Sequence, residues 1–232
     1  MIKSKQSFNF VNSASRQLVV TADGSHSLFV EEPGEHYHSV NGAIQESRHI
    51  FIENALKQMQ KNDIRVLEIG FGTGLNAFLT LLEAEKTNKN IHYTTIELYP
   101  LSEGTACALN YPEILNIEKR KDFERLHLAV WNKAEKFSGN FTLYKVYADC
   151  TKYEFSEQYD VIYFDAFSPE KQPEMWSEAV FGKLYNAAAP GAVLTTYSAK
   201  GAVRRAMRQA GFVVERLPGP PGKREILRAV KI

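Results

Sequence analysis

The stretch "IRVLEIGFGTGLN", residues 64–76, limits what this chain can fold into more than any other. A short apolar strand runs straight into Gly70, Gly72 and Gly74, and "LNAFLTLLEAEK" follows as a helix. Glycines at alternate positions let the backbone turn tightly and approach a ligand with no Cβ in the way. The chain then keeps alternating. "IHYTTIEL", "FTLYKVYAD", "YDVIYFDAF" and "AVLTTYS" read as strands, and "PLSEGTACALN", "EMWSEAVFGKLYNAA" and "KGAVRRAMRQAG" as helices. The second of these helices packs Met175, Val180, Phe181 and Leu184 on the sheet, the third is capped by Gly211, and residues 113–136 read as a helical, charged connector.

Such alternation predicts an α/β fold with an open sheet covered on both faces. The last two strands, "FVVERL" and "REILRAVKI", are joined by the short "PGPPGK" and must be antiparallel, since a parallel pair needs a crossover of about a dozen residues or more. The expected architecture is the class I, Rossmann-like methyltransferase sheet: doubly wound, mostly parallel, seven-stranded, with an antiparallel C-terminal strand. Ahead of it, "RQLVVTADGSHSLFVE" sets two apolar segments around Asp23-Gly24, a strong β-hairpin signal, and residues 44–61 read as a helix with Ile44, Ile52, Leu56 and Met59 on one side. Residues 1–62 are thus expected as a hairpin-and-helix add-on packed on a domain formed by residues 63–232.

No segment reaches the roughly 20 apolar residues of a membrane span, and the N-terminus lacks the apolar region of a secretory signal, so a cytoplasmic protein is expected. Cys107 and Cys150 are far apart and read as reduced, structural thiols. His36 and His38 have no further ligands at metal-binding spacing, so no metal is expected. The formal charge of +1 hides an asymmetry: from residue 198 onward nine Lys or Arg stand against Glu215 and Glu225, a net +7 that leaves −6 elsewhere. A basic cluster of this kind suits a phosphate or nucleic-acid partner, and equally a solvated helix face.

Ligands of such sheets sit at the carboxyl ends of the strands. Those ends carry Glu68 with the glycine loop, then Glu97, Asp149 and Asp165. The loop is "ExGxGxG" rather than the G-x-G-x-x-G that seats a pyrophosphate, and Glu68 would favour a cation over an anion. S-adenosylmethionine, a sulfonium and an ammonium in one molecule, is such a cation. Glu97, 23 residues after Gly74, stands where an acid accepts from both ribose hydroxyls, and Asp149 where one accepts from an adenine amine.

With these residues in place, the chain resembles the methyltransferase part of the MnmC family of tRNA wobble-uridine modification enzymes. The resemblance rests on "YHSVNGAIQESRHIFI", "LEIGFGTGLN", "FDAFSPEKQPEMW", "TYSAKGAVRRAMRQAGF" and "GKREIL", in that order. It implies methyl transfer from S-adenosylmethionine to the primary amine of a 5-aminomethyl group on a tRNA wobble uridine. It also implies a cofactor loop at Gly70, Gly72 and Gly74, a ribose acid at Glu97, an adenine-side acid at Asp149 and an active-site acid at Asp165; Glu68, Asn76 and Cys150 are expected to complete the cofactor site. In the fused form an FAD-dependent oxidase follows; this sequence ends at Ile232, so a separate oxidase or another route is expected to supply the aminomethyl group.

An alkylammonium has no lone pair, so a carboxylate within hydrogen-bonding reach must take its proton or orient the neutral amine; Asp165 is the candidate. Ser168-Pro169 would stiffen the turn behind it, and Phe167 could stack on the base. Tyr37 and Ser39 complete the expected substrate pocket. Lys200, Arg204 and Arg205 on the last helix, with Lys223 and Arg224 on the last hairpin, are expected to grip the backbone of the anticodon stem-loop. Three rivals stand beside this reading: an aminopropyltransferase, which the basic tail disfavours; an NAD(P)-dependent oxidoreductase, which the loop spacing disfavours; and a non-catalytic RNA-binding module, for which Asp165 would be superfluous.

Overall fold

The computed structural model describes residues 16–232. It opens with an antiparallel hairpin, β1 (Arg16–Val20) and β2 (His26–Val30), to which the two-residue β3 (Glu35–His36) is added. The turn forms at Asp23-Gly24 as expected: Gly24 takes a positive φ of 81°, and an Asp23 carboxylate oxygen accepts from the Ser25 N–H at 3.1 Å.

The anticipated long helix is broken into three pieces: α1 (Ala43–Ser47), a π-helical turn (Arg48–Glu53) and a 3-10 turn (Leu56–Gln58). Ile44, Ile52, Leu56 and Met59 are buried as the pattern required, but so are Ile50 and Phe51. Three adjacent apolar residues subtend more than one α-helical stripe, and the wider π register brings all three inward.

The main sheet has eight strands in the order β10-β11-β9-β8-β4-β5-β7-β6. Its parallel centre is β4 (Asp63–Ile69), β5 (Asn90–Glu97), β7 (Phe141–Tyr147), β8 (Tyr159–Phe164) and β9 (Ala188–Thr196). The last hairpin, β10 (Val213–Pro218) and β11 (Glu225–Val230), is antiparallel, and β11 enters the sheet reversed against β9. Seven of these strands are those expected. The eighth, β6 (Ala134–Lys136), pairs antiparallel with β7 inside the segment read as helical; that segment begins within α4 (Tyr111–Ile114), holds α5 (Arg120–Leu128) and then turns to strand.

Helices α2 (Leu75–Thr87), α3 (Glu103–Cys107), α6 (Glu178–Ala187) and α7 (Gly201–Gln209) complete the chain. Strand side chains alternate between faces. Val66, Tyr93 and Tyr163 point into a core shared with α2, α5 and the N-terminal Leu28, Ile44 and Phe51. Leu67, Ile162 and Phe164 point into the opposite core, closed by Val180, Phe181 and Leu184 of α6 and Met207 of α7. Met175 lies just outside α6, in a 3-10 turn (Pro173–Trp176), and is only partly buried. β4 has β5 on one side and β8 on the other, so the strand order reverses beside it, and the crevice at that reversal is where an open α/β sheet binds its ligand. Among the described residues no helix is long and apolar enough to cross a membrane.

Candidate active site

A cleft of about 1090 Å³ opens at this point, walled by the ends of β4, β5, β7 and β8 and roofed by residues 32–41 after the hairpin. The glycine loop forms its floor. Gly70 has φ +92°, and a Cβ there would stand 2.6 Å from the carbonyl oxygen of Asp165, so only glycine lets the ends of β4 and β8 lie this close. At Gly72, with φ +49°, a Cβ would press on the Tyr37 ring at 3.1 Å. Gly74 caps the N-terminus of α2 beneath the loop; it is not part of the cleft wall.

Glu97 closes β5 with both carboxylate oxygens engaged: one accepts from the Gly72 N–H at 3.0 Å, the other from the Tyr99 N–H at 2.7 Å. Each oxygen keeps a second lone pair for a hydroxyl in the cleft. Asp149, just past β7, accepts from the Thr151 N–H and hydroxyl at 2.9 and 2.6 Å and is paired with Lys152. Burial works to raise its pKa, but the Thr151 hydroxyl and Lys152 outweigh it and hold the carboxyl below the usual range. Cys150 lines the cleft but is buried, and burial pushes its thiol up to about 12; it is an apolar wall, not a nucleophile.

Asp165 follows β8 at the inner end of the cleft, where one of its oxygens accepts from the Asn76 side-chain amide at 2.8 Å. Protein crowds it closely. That burial, with the charge of Glu46 nearby, pushes its pKa up to about 7 despite the opposing Asn76 bond and Lys223. An acid poised near neutrality can exchange protons with a bound amine.

Glu68 does not take the place expected of it. It is fully buried behind the cleft wall, with neither carboxylate oxygen in a hydrogen bond of good geometry. Burial raises its pKa well above the ordinary value although Thr95, Asn76 and Tyr93 surround it. Burial on this scale favours the protonated form and keeps Glu68 out of the cleft, whose strand-end carboxyl groups are those of Glu97, Asp149 and Asp165.

Of the expected substrate residues, Tyr37, Ser39, Phe167 and Lys223 line the cleft. The Tyr37 and Phe167 rings meet edge to face with centroids 5.1 Å apart. Ser168 stands behind the wall, where its N–H and hydroxyl both donate to Glu35 at 3.0 Å, and Pro169 follows it outside the cleft. Lys200, Arg204, Arg205 and Arg224 lie outside the cleft as well. The basic tail is less free than its count suggests: Lys200 pairs with Glu170, Arg216 with Glu225 and Arg228 with Glu215, while Lys231 donates to the carbonyls of Tyr185 and Ala188. Arg204 is half-buried on α7, and Arg205 and Arg224 are exposed.

His38 is buried against the Thr73 hydroxyl at 2.6 Å, and His36 packs on Phe29; among the described residues no group of three or more His, Cys, Asp or Glu is placed to hold a metal. Sequence reasoning missed Glu35, Glu46 and Tyr197, all of which line the cleft. Tyr197 follows β9 directly, so reading every strand end would have found it; Glu35 and Glu46 carry no such signal.

The family described as S-adenosyl-L-methionine-dependent methyltransferase matches residues 115–232, just over half of the sequence. The chain belongs to that family. As a methyltransferase it takes S-adenosylmethionine as its cofactor, and the cradle fits: a floor without side chains, spare lone pairs on Glu97 and three carboxyl groups facing a cation. The methyltransferase is 33% identical over 205 residues to the tRNA 5-methylaminomethyl-2-thiouridine biosynthesis bifunctional protein MnmC of Leptospira borgpetersenii serovar Hardjo-bovis (strain JB197), covering 82% of this chain and 31% of that one. It is 31% identical over 210 residues to the protein of the same name from Pseudomonas entomophila, covering 84% and 32%. The chain thus spans about a third of the length of these relatives. Among solved structures, MnmC2 from Aquifex aeolicus superposes with a TM-score of 0.79 at 27% identity, over 94% of this chain and 70% of that one. Spermidine synthase from Thermotoga maritima shares the fold, with a TM-score of 0.60 at 16% identity over the same shares.

Proposed function

We propose that this methyltransferase methylates the primary amine of a 5-aminomethyl group on the wobble uridine of tRNA. The observation that carries the reading is Asp165: an acid poised near pH 7, held by Asn76 at the inner end of a cleft built for a cationic cofactor. The MnmC relatives support it, since they are named for biosynthesis of 5-methylaminomethyl-2-thiouridine in tRNA.

Gly70, Gly72, Glu97 and Asp149 would hold S-adenosylmethionine, which supplies an electrophilic methyl group and carries its own leaving group. The chain's own residues prepare the nucleophile. Asp165 accepts a proton from the incoming alkylammonium; the amine then turns, so that an N–H it keeps donates to the carboxyl group and the freed lone pair faces the methyl. Asn76 keeps that carboxylate from rotating. Tyr37 and Phe167 present an aromatic corner on which an unstacked base can rest, the usual way an enzyme reaches a base it modifies. Arg205 and Arg224, with the half-buried Arg204, offer charge for the phosphate backbone of the anticodon stem-loop, whereas Lys200 is committed to Glu170. A cytosolic reaction on an aminomethyl group already present on the tRNA completes the picture.

The deciding experiment supplies methyl-labelled cofactor to tRNA whose wobble uridine carries the bare aminomethyl group, followed by nucleoside analysis. Label on the wobble nucleoside is the expected result; label only on free polyamines would replace this reading with a methyltransferase of small amines.

A further inference from the structure

The catalytic cleft already contains a primary ammonium. Lys223, carried in on the loop between β10 and β11, places its Nζ 3.3 Å from a carboxylate oxygen of Glu46 and 4.9 Å from the ring centroid of Tyr197. All three line the cleft together with Asp165, close enough that the charges of Glu46 and Lys223 both act on the Asp165 carboxyl. Glu46 is 7% exposed and held in position by the Ser39 N–H at 2.7 Å, while the Tyr197 hydroxyl is tied to the Ala166 carbonyl at 2.9 Å. Two fixed carboxyl groups and one fixed aromatic face around a cation are the elements that recognise an alkylammonium. The cation itself is the mobile part, a flexible four-carbon stem with a loose 3.3 Å ion pair.

We infer that Glu46, Tyr197 and Asp165 form the receiving site for the substrate's alkylammonium, and that Lys223 is a resident cation which the substrate amine displaces. The inference rests on the amine-methylating reading above and deepens it, because it assigns a binding residue, Glu46, and a competitor, Lys223. The electrostatics favour a one-for-one exchange. Two carboxylates this close are costly to leave without a cation, and a substrate ammonium that replaces Lys223 preserves the local charge while bringing its nitrogen to Asp165. A side chain released from the cleft stays on an exposed loop next to Arg224, where a phosphate can take it up.

The test measures binding rather than turnover. n-Butylamine and 5-aminomethyluridine are titrated calorimetrically into the full chain and into Glu46→Gln and Lys223→Met variants, with S-adenosylmethionine affinity and thermal unfolding recorded for each. The site predicts that Glu46→Gln weakens both amines about tenfold or more, the worth of one charge-assisted contact, while cofactor affinity holds. Lys223→Met should tighten both amines severalfold, since it removes the competitor. Unchanged or weaker amine binding in Lys223→Met overturns the exchange, and unchanged binding in Glu46→Gln overturns the receiving site. Failure of the functional reading looks different: n-butylamine still binds in a Glu46-dependent way, but 5-aminomethyluridine binds no better than 5-methyluridine and tRNA takes up no label.

Discussion

The side-chain amide of Asn76, at the start of α2, donates to a carboxylate oxygen of Asp165, just past β8, across 2.8 Å. That bond favours the ionised acid, against burial and Glu46, which favour the protonated one. With the Asp165 pKa near 7, methylation at subsaturating substrate should rise with pH and level off above about 7. Asn76→Ala removes a bond to a charged group worth about 1.5 kcal/mol, so the rising limb should move up by about one pH unit. Asp165→Asn should abolish the limb with most of the turnover and leave cofactor affinity within a few-fold. A pH–rate profile of the three proteins checks this.

The same acid makes a prediction about stability. Its folded pKa is raised, so its contribution to folding is fully present below the ordinary carboxylate pKa and is lost as pH rises through about 7. Asp165→Asn, which cannot ionise, should therefore gain stability relative to the parent chain as pH rises from about 4, and hold that gain above about 7, measured by urea unfolding across that range.

Gly70 should tolerate no side chain. Alanine would combine a positive φ of 92° with a contact of 2.6 Å to the Asp165 carbonyl, and it would have to push the ends of β4 and β8 apart. We expect a loss of about 3 kcal/mol in stability and no measurable cofactor binding. Unfolding curves and a cofactor titration on Gly70→Ala report both.

Glu35 reaches across from the N-terminal sheet to take both the N–H and the hydroxyl of Ser168. Glu35→Ala should cost about 2 kcal/mol and lower turnover more than cofactor affinity, because it frees the turn that carries Phe167 and not the glycine floor. Ser168→Ala, which keeps the N–H bond, should lose about half as much. Parallel unfolding and steady-state measurements separate the two.

The exposed Arg205 and Arg224 make a last prediction. Replacing both with alanine should weaken tRNA binding and flatten its salt dependence by about two contacts' worth of released counterions. Arg228→Ala, whose side chain is paired with Glu215, should leave the slope unchanged.

Glu97, Asp149 and Asp165 were legible because the alternation of strands and helices fixes where a parallel strand must end, and these acids stand at those ends. Glu68 was misread although its fate was also written in the sequence. Counting by twos from Val66 puts it on the same face as Val66, under α2, and the strand has not yet ended there. Glu35, Glu46 and the position of Lys223 could not be read locally. They reach the cleft only because a β-hairpin, a broken helix and a loop more than 170 residues later in the chain converge on one rim. The helix expected over residues 44–61 failed for a related reason: Ile50, Phe51 and Ile52 follow the shape of the core they enter and not a helical period.

The carboxylate of Glu35, the ring of Tyr37 against Gly72 and the carboxylate of Glu46 all precede residue 63, where β4 begins. A cut at that seam leaves every strand of the eight-stranded sheet in place and takes away one wall of the reaction chamber. Anyone wishing to transplant or shorten this enzyme has to carry the hairpin and the broken helix along, since the sheet alone is half a vessel.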